Sequence, residues 1–314
     1  ARLLHMRLGW MAALGALSGV RGRQFVATLE PTVPVYSHFV VFGDSLVDNG
    51  NGTYPLSKQQ WPSDPAYDRG RFTDGPVWPE YLADWLHVSA VDDWSHGGAT
   101  TNNSVAQGYS GFDLALAVPD VPEQVTRYLA SVGDRADADA LYIVTGGSND
   151  AFFGLGHVPL AQLSAGVGES LYASASRLVR CGARHLLIPT LPASSATPAV
   201  TQFHQSLHAL ASAFVWLAND AIRAAAAALQ AQGAAVTLVD VYRVAQAMHE
   251  HAEAYGFTNT RDACLTGTQK PEVDAGIPRR LCDNPSAYLY WDLYHPTTRA
   301  HTFFARAALD ALMP

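Results

Sequence analysis

Ser45 follows a short apolar run, Phe39 to Phe42, across the turn Gly43-Asp44-Ser45. A serine at the carboxyl end of a strand, beside a glycine that leaves the backbone open, sits where open α/β sheets hold reactive groups. Serine is also a common helix N-cap, so the turn alone leaves the two roles level. The other end of the chain supplies what a nucleophile needs, in Asp292-Leu293-Tyr294-His295. One short turn can hold that carboxylate against that imidazole without a second element. His295 would take the proton of Ser45 and Asp292 would orient the ring, the logic of a serine triad in a different chain order. Acyl transfer also needs donors for an oxyanion. The candidates are the Ser45 N–H, the Gly98 N–H within Gly97-Gly98, and the Asn149 side-chain amide within Gly147-Ser148-Asn149-Asp150. A side chain at position 98 would keep that backbone from a substrate.

Elements far apart in sequence must bring these groups together. Apolar runs predict strands over 35–42, Val88 to Val91, Ala140 to Thr145, His185 to Ile188 and Ala235 to Val239. Between them, Glu80–Leu86, Pro122–Leu129, 160–181, Phe203–Gln232 and Val241–His251 read as helices. A last helix follows, with Pro296 in its first turn and Phe303, Phe304, Ala307 and Leu312 on one face. Residues 53–79, rich in Pro, Gly, Tyr and Trp without a steady period, read as a loop. Strands alternating with helices predict a mainly parallel five-stranded sheet covered on both sides, in flavodoxin-like order. In that order Ser45, Gly98 and Asn149, each just past a strand end, gather at one edge of the sheet.

The chain of 314 residues is 48% hydrophobic and 15% charged, ample for one sizeable core. A formal charge of −8 and the lack of any Lys/Arg cluster argue against a nucleic-acid partner. Beyond the N-terminus no stretch is apolar and long enough for integral membrane association. Residues 1–22 read as a signal peptide: Arg2 and Arg7 precede an apolar run from Leu8 to Gly19, and Ala16-Leu17-Ser18 resembles a cleavage site. A single domain is expected over 35–314, in a secreted, extracellular protein. Cys264 and Cys282 bracket a loop suited to a disulfide, while Cys181 reads as a buried free thiol. Asn51-Gly52-Thr53 and Asn102-Asn103-Ser104 match the glycosylation pattern, in stretches where a glycan would crowd the candidate site.

Gly43-Asp44-Ser45-Leu46, Gly97-Gly98, Gly147-Ser148-Asn149-Asp150 and Asp292-Leu293-Tyr294-His295 resemble, in order, the four blocks of the GDSL (SGNH) esterase/lipase family. The resemblance covers about 39 to 300 and implies a three-layer α/β/α fold and acyl-ester hydrolysis without a metal or cofactor. It implies Ser45, Asp292 and His295 as the triad, and Ser45, Gly98 and Asn149 as the oxyanion hole. One departure is Asp93, where many members carry asparagine. The stretch from Gly70 to Glu80 resembles secreted fungal members, including acetylesterases that act on plant-wall carbohydrate.

A secreted serine esterase acting on short-chain acyl esters, acetylated carbohydrate among them, is therefore expected. Two alternatives stand beside it: a long-chain lipase or phospholipase of the same family, and a catalytically silent carbohydrate- or lipid-binding protein on the same scaffold. Trp61, Trp78, Trp94 and His96 could line a sugar cleft, although packing is the more ordinary use of aromatic rings. Asp44 and Asp48 read as turn carboxylates that bond backbone N–H groups. His249-Glu250-His251 lacks the one-turn spacing of a helical zinc site.

Overall fold

The computed structural model describes residues 35–203, 205–267 and 277–313. The expected signal peptide, residues 1–22, lies outside the described residues. The frame is a parallel sheet of β1 (Phe39–Phe42), β2 (Val91–Asp93), β3 (Leu141–Val144), β4 (His185–Pro189) and β5 (Ala235–Val239), in the order β2-β1-β3-β4-β5. This is the flavodoxin-like order expected from the sequence. The central registers pair Val41 with Ile143 and Ile143 with Leu187.

Strands this apolar must be covered on both faces. Phe39 and Val41 point one way, toward α1 (Trp78–Trp85), α6 (Val241–Glu250) and α7 (Thr298–Leu312). Val40 and Phe42 point the other way, toward α2 (Val121–Ser131), α4 (Leu160–Arg180) and α5 (His208–Ala231). The short helix α3 (Ser148–Gly154) lies between β3 and α4. The result is a three-layer α/β/α sandwich, in which fully burying each large apolar side chain contributes about 2 kcal/mol.

Local chemistry sets the helix starts. Asp120, Asp240 and Thr297 cap α2, α6 and α7, each side chain accepting from the N–H three residues on. The last of these corrects the sequence reading: Pro296 lies before the cap and not in the first helical turn. The strand expected over Val88–Val91 is instead Val91–Asp93, because Val88 N–H closes the end of α1 on the Ala83 carbonyl. The long helix begins at His208, after the irregular turns Ala199–Phe203 and Gln205–Leu207. Cys264 and Cys282 are bonded as expected, and Cys181 is free but only half-buried.

Two further strands, β6 (Asn259–Ala263) and β7 (Tyr288–Tyr290), pair in parallel outside the main sheet. Just past β6, the Cys264 and Leu265 N–H groups donate to the carbonyls of Tyr290 and Trp291. The segment entering Asp292 is thereby tied to the disulfide-bearing chain. Among the described residues, no helix is long and apolar enough to cross a membrane.

Candidate active site

Gly43 forms the turn after β1, and only a glycine fits there. A Cβ on it would lie 2.6 Å from the Thr145 methyl carbon and 2.8 Å from a Val47 methyl carbon. The turn is also clamped from outside the motif. The buried side-chain amide of Gln124, on α2, accepts from the Gly43 N–H and donates to the Gly43 carbonyl, each at 2.9 Å. Asp44 Oδ1 accepts from the Leu46 N–H, as expected of a turn carboxylate. Asp48 binds four backbone N–H groups, those of Gly50, Gly52, Thr53 and Gly97. A single carboxylate thus joins the Ser45 turn to the second glycine block.

That bond commits the Gly97 N–H and leaves Gly98 facing the site. Gly98 sits at φ +89°, and a Cβ there would lie 2.1 Å from the Tyr109 carbonyl oxygen. Among the described residues no hydrogen bond takes up the N–H of Ser45 or of Gly98. At the third strand end, Asn149 Nδ2 donates to the Ala99 carbonyl at 3.0 Å. An amide nitrogen has two hydrogens, so this bond orients the second one. Ser45, Gly98 and Asn149 all line one cavity, as the strand-end placement predicts.

Opposite them the chain turns sharply, with the Trp291 N–H donating to the His295 carbonyl at 2.7 Å. His295 Nε2 lies 2.9 Å from Ser45 Oγ, and its Nδ1 lies 2.8 and 2.9 Å from the two Asp292 oxygens. Asp292 Oδ1 accepts from the Tyr294 and His295 N–H groups, and Oδ2 accepts from the Tyr67 hydroxyl at 2.8 Å. Burial alone would push this carboxyl up. The imidazole and these hydrogen bonds outweigh burial and hold it below the usual carboxylate range. Asp292 is therefore an anion well suited to keeping the proton on Nδ1.

The stretch from Gly70 to Glu80 braces the same turn. Thr73 Oγ1 donates to the Pro296 carbonyl, Asp74 Oδ1 accepts from the Thr298 N–H, and Thr298 Oγ1 donates to the Pro76 carbonyl. Arg71 grips Glu80 through two bonds, at 2.9 and 2.7 Å, and Glu80 accepts the Val77 N–H at the start of α1. Of the aromatic residues considered for a cleft, Trp61 and not Trp78 lines the cavity; Trp78 lies in the core and Trp94 packs edge-on to Tyr128. Tyr67 and Gln124 were not foreseen. Neither stands in a catalytic block, and only the folded chain brings them to one.

Buried acids surround the site. Asp93 accepts from the Asn49 N–H and from the N–H and hydroxyl of Ser95, while burial and the nearby Asp48 push its carboxyl well up. Asp150 accepts from the Thr101 N–H and hydroxyl, and burial raises it to about 6. A raised folded value means stability present below the unfolded pKa, about 4, and lost as pH rises through about 6. Asp150→Asn keeps an acceptor for Thr101 and has no charge to bury. The substitution should therefore cost more stability at about pH 4 than at about pH 7, the difference being roughly 3 kcal/mol. Urea unfolding of both proteins across that window measures it, and a pH-independent cost would refute the assignment.

The cavity measures about 390 Å³, within the range of small-molecule sites. Ser45 and His295 stand on its wall, and Leu155, Ala199, Val200, Ala211, Met248 and Phe304 give much of it an apolar lining. A parallel sheet holding a Ser–His–Asp hydrogen-bonded chain at its carboxyl edge, beside such a cavity, defines the flavodoxin-like ester hydrolases as the class. The chain belongs to the GDSL-like Lipase/Acylhydrolase family, whose model matches residues 39–308, and is a hydrolase of the esterase/lipase type.

The chain is 29% identical over 280 residues to the thermolabile hemolysin of Vibrio parahaemolyticus, a match covering 87% of this chain and 63% of the hemolysin. It is 26% identical to the phosphatidylcholine-sterol acyltransferase of Aeromonas hydrophila, covering 88% of this chain and 90% of that one. Among solved structures, an acetylxylan esterase of Geobacillus stearothermophilus, Axe2, aligns over 90% of this chain and 96% of its own, with 13% identity and a TM-score of 0.43.

Proposed function

We propose that this hydrolase is a secreted serine esterase that cleaves carboxylic esters of medium- to long-chain acyl groups. Ser45 Oγ attacks the acyl carbon while His295 Nε2 takes its proton, and Asp292 holds the imidazolium that results. The oxyanion accepts hydrogen bonds from the Ser45 and Gly98 N–H groups and from Asn149 Nδ2. The ester C–O bond then breaks, and the alcohol leaves with the proton from His295. Water, deprotonated by the same nitrogen, attacks the acyl-serine, and the carboxylic acid departs with Ser45 restored.

The observation that carries this reading is the 2.9 Å approach of Ser45 Oγ to His295 Nε2 on the wall of a largely apolar cavity of about 390 Å³. An acetyl group would leave most of that space unfilled. A longer chain gains about 0.8 kcal/mol for each methylene it buries, or roughly fourfold in kcat/KM. The cavity therefore favours the longer-chain alternative over the short-chain expectation. A relative named for phosphatidylcholine and sterol is in keeping with a lipid acyl donor. The disulfide suits an extracellular address, because such bonds persist in oxidising compartments.

A panel of p-nitrophenyl esters from acetate to palmitate, with acetylated xylo-oligosaccharide beside it, tests the substrate class. We expect kcat/KM for octanoate to exceed that for acetate by at least about tenfold. A preference for acetate or for the acetylated sugar would reject the acyl-chain reading and return the short-chain one.

A further inference from the structure

One wall of the cavity is built far from the catalytic blocks. Ala245 and Met248 on α6, Leu289 on β7 and Phe304 on α7 line it, each buried. At this wall the apolar lining is broken by two polar side chains, Tyr290 and His249. His249 Nε2 and the Tyr290 hydroxyl lie 2.8 Å apart, with ring centroids at 5.6 Å. The tyrosine is buried, at 6% exposure, so this partner satisfies a hydroxyl that would otherwise be costly to bury. Burial pushes the His249 imidazole down, which favours the neutral ring.

His249 also faces outward. Together with Glu250, Thr201, Gln202, Arg261 and Asp262 it lines a second, open depression on the protein surface. His249 lines both spaces, and so stands as a partition between an apolar interior and a polar exterior. A straight acyl chain running along the apolar wall would meet the hydrogen-bonded pair. To pass, it would have to separate the two and leave the buried Tyr290 hydroxyl without its partner.

We infer that the Tyr290–His249 pair is the end stop of an acyl-chain subsite and sets the longest straight-chain acyl group that the enzyme accepts. The inference rests on the acyl-chain reading of the cavity and adds to it which residues terminate the chain. His249→Ala removes the partition and joins the two spaces, so chains longer than the wild-type limit gain room. Tyr290→Phe keeps the ring's volume but breaks the bond, so the stop yields more easily and the same shift appears in smaller measure.

The experiment compares kcat/KM for p-nitrophenyl palmitate and octanoate in the wild type and both variants, with near-ultraviolet circular dichroism as the check on folding. The palmitate-to-octanoate ratio should rise at least about tenfold in His249→Ala, the gain expected from two or more newly buried methylenes. It should rise about threefold in Tyr290→Phe. A folded His249→Ala whose ratio stays within twofold of wild type overturns the proposal. If that variant does not fold, an unchanged ratio in Tyr290→Phe overturns it instead. Failure of the underlying reading looks different: the wild type itself would then prefer acetate to octanoate.

Discussion

Ser45→Ala should fold like the wild type and lose at least about ten-thousandfold in kcat toward p-nitrophenyl octanoate, as removal of a triad serine does. The hydroxyl bonds to His295 at the wall of a cavity, and the turn that carries it is held by Gln124, Asp44 and Asp48 instead. Deleting one oxygen therefore leaves the scaffold its fastenings. A serine-directed phosphonate should add one label to the wild type and none to the variant, read by intact-protein mass. Turnover within tenfold of wild type would remove Ser45 from the mechanism. A wild type that takes no label and turns over no ester would leave the silent binding protein as the better account.

The second large effect is expected at Asp292. In Asp292→Asn, the side-chain oxygen must still accept the Tyr294 and His295 N–H groups, now made by Oδ1. The amide nitrogen then occupies the position of Oδ2 and presents hydrogens to His295 Nδ1 and to the Tyr67 hydroxyl. Nδ1 becomes an acceptor, the ring proton moves to Nε2, and Nε2 can no longer take the proton of Ser45. We expect kcat to fall about ten-thousandfold while KM changes little, because only the tautomer is wrong. The check is steady-state kinetics on octanoate beside a urea midpoint. A loss smaller than about tenfold would mean that Asp292 serves only to shape the turn.

Much of this arrangement was legible before folding was considered. Four of the five sheet strands are short apolar runs, ended by glycine or proline in β1, β3 and β4 and by the helix-capping Asp240 in β5, so these four stand out by pattern. The second strand does not. Val91-Asp92-Asp93 carries two carboxylates, and its last residue is buried only because backbone and hydroxyl donors from Asn49 and Ser95 converge on it. The catalytic blocks were legible because each combines a reactive side chain with glycines or a fixed short spacing. Tyr67 and Gln124 were not, since one lies in an aperiodic loop and the other on an amphipathic helix where a buried glutamine has no special signature. The cavity was beyond reach for a further reason. Its far wall is assembled from Ala245, Met248, Leu289 and Phe304, which no local pattern connects.

The loop between the first two strands does two jobs with neighbouring residues. Trp61 and Phe72 line the cavity, while between them Tyr67 hydrogen-bonds Asp292. Efforts to retune substrate preference by grafting this segment from a relative would therefore drag turnover along with selectivity. Transplants that retain a phenol at the position of Tyr67 are the ones to make first. Libraries that diversify Trp61 and keep Phe72, whose ring lies 5.2 Å from that of His295, offer a route by which the two properties can be varied separately.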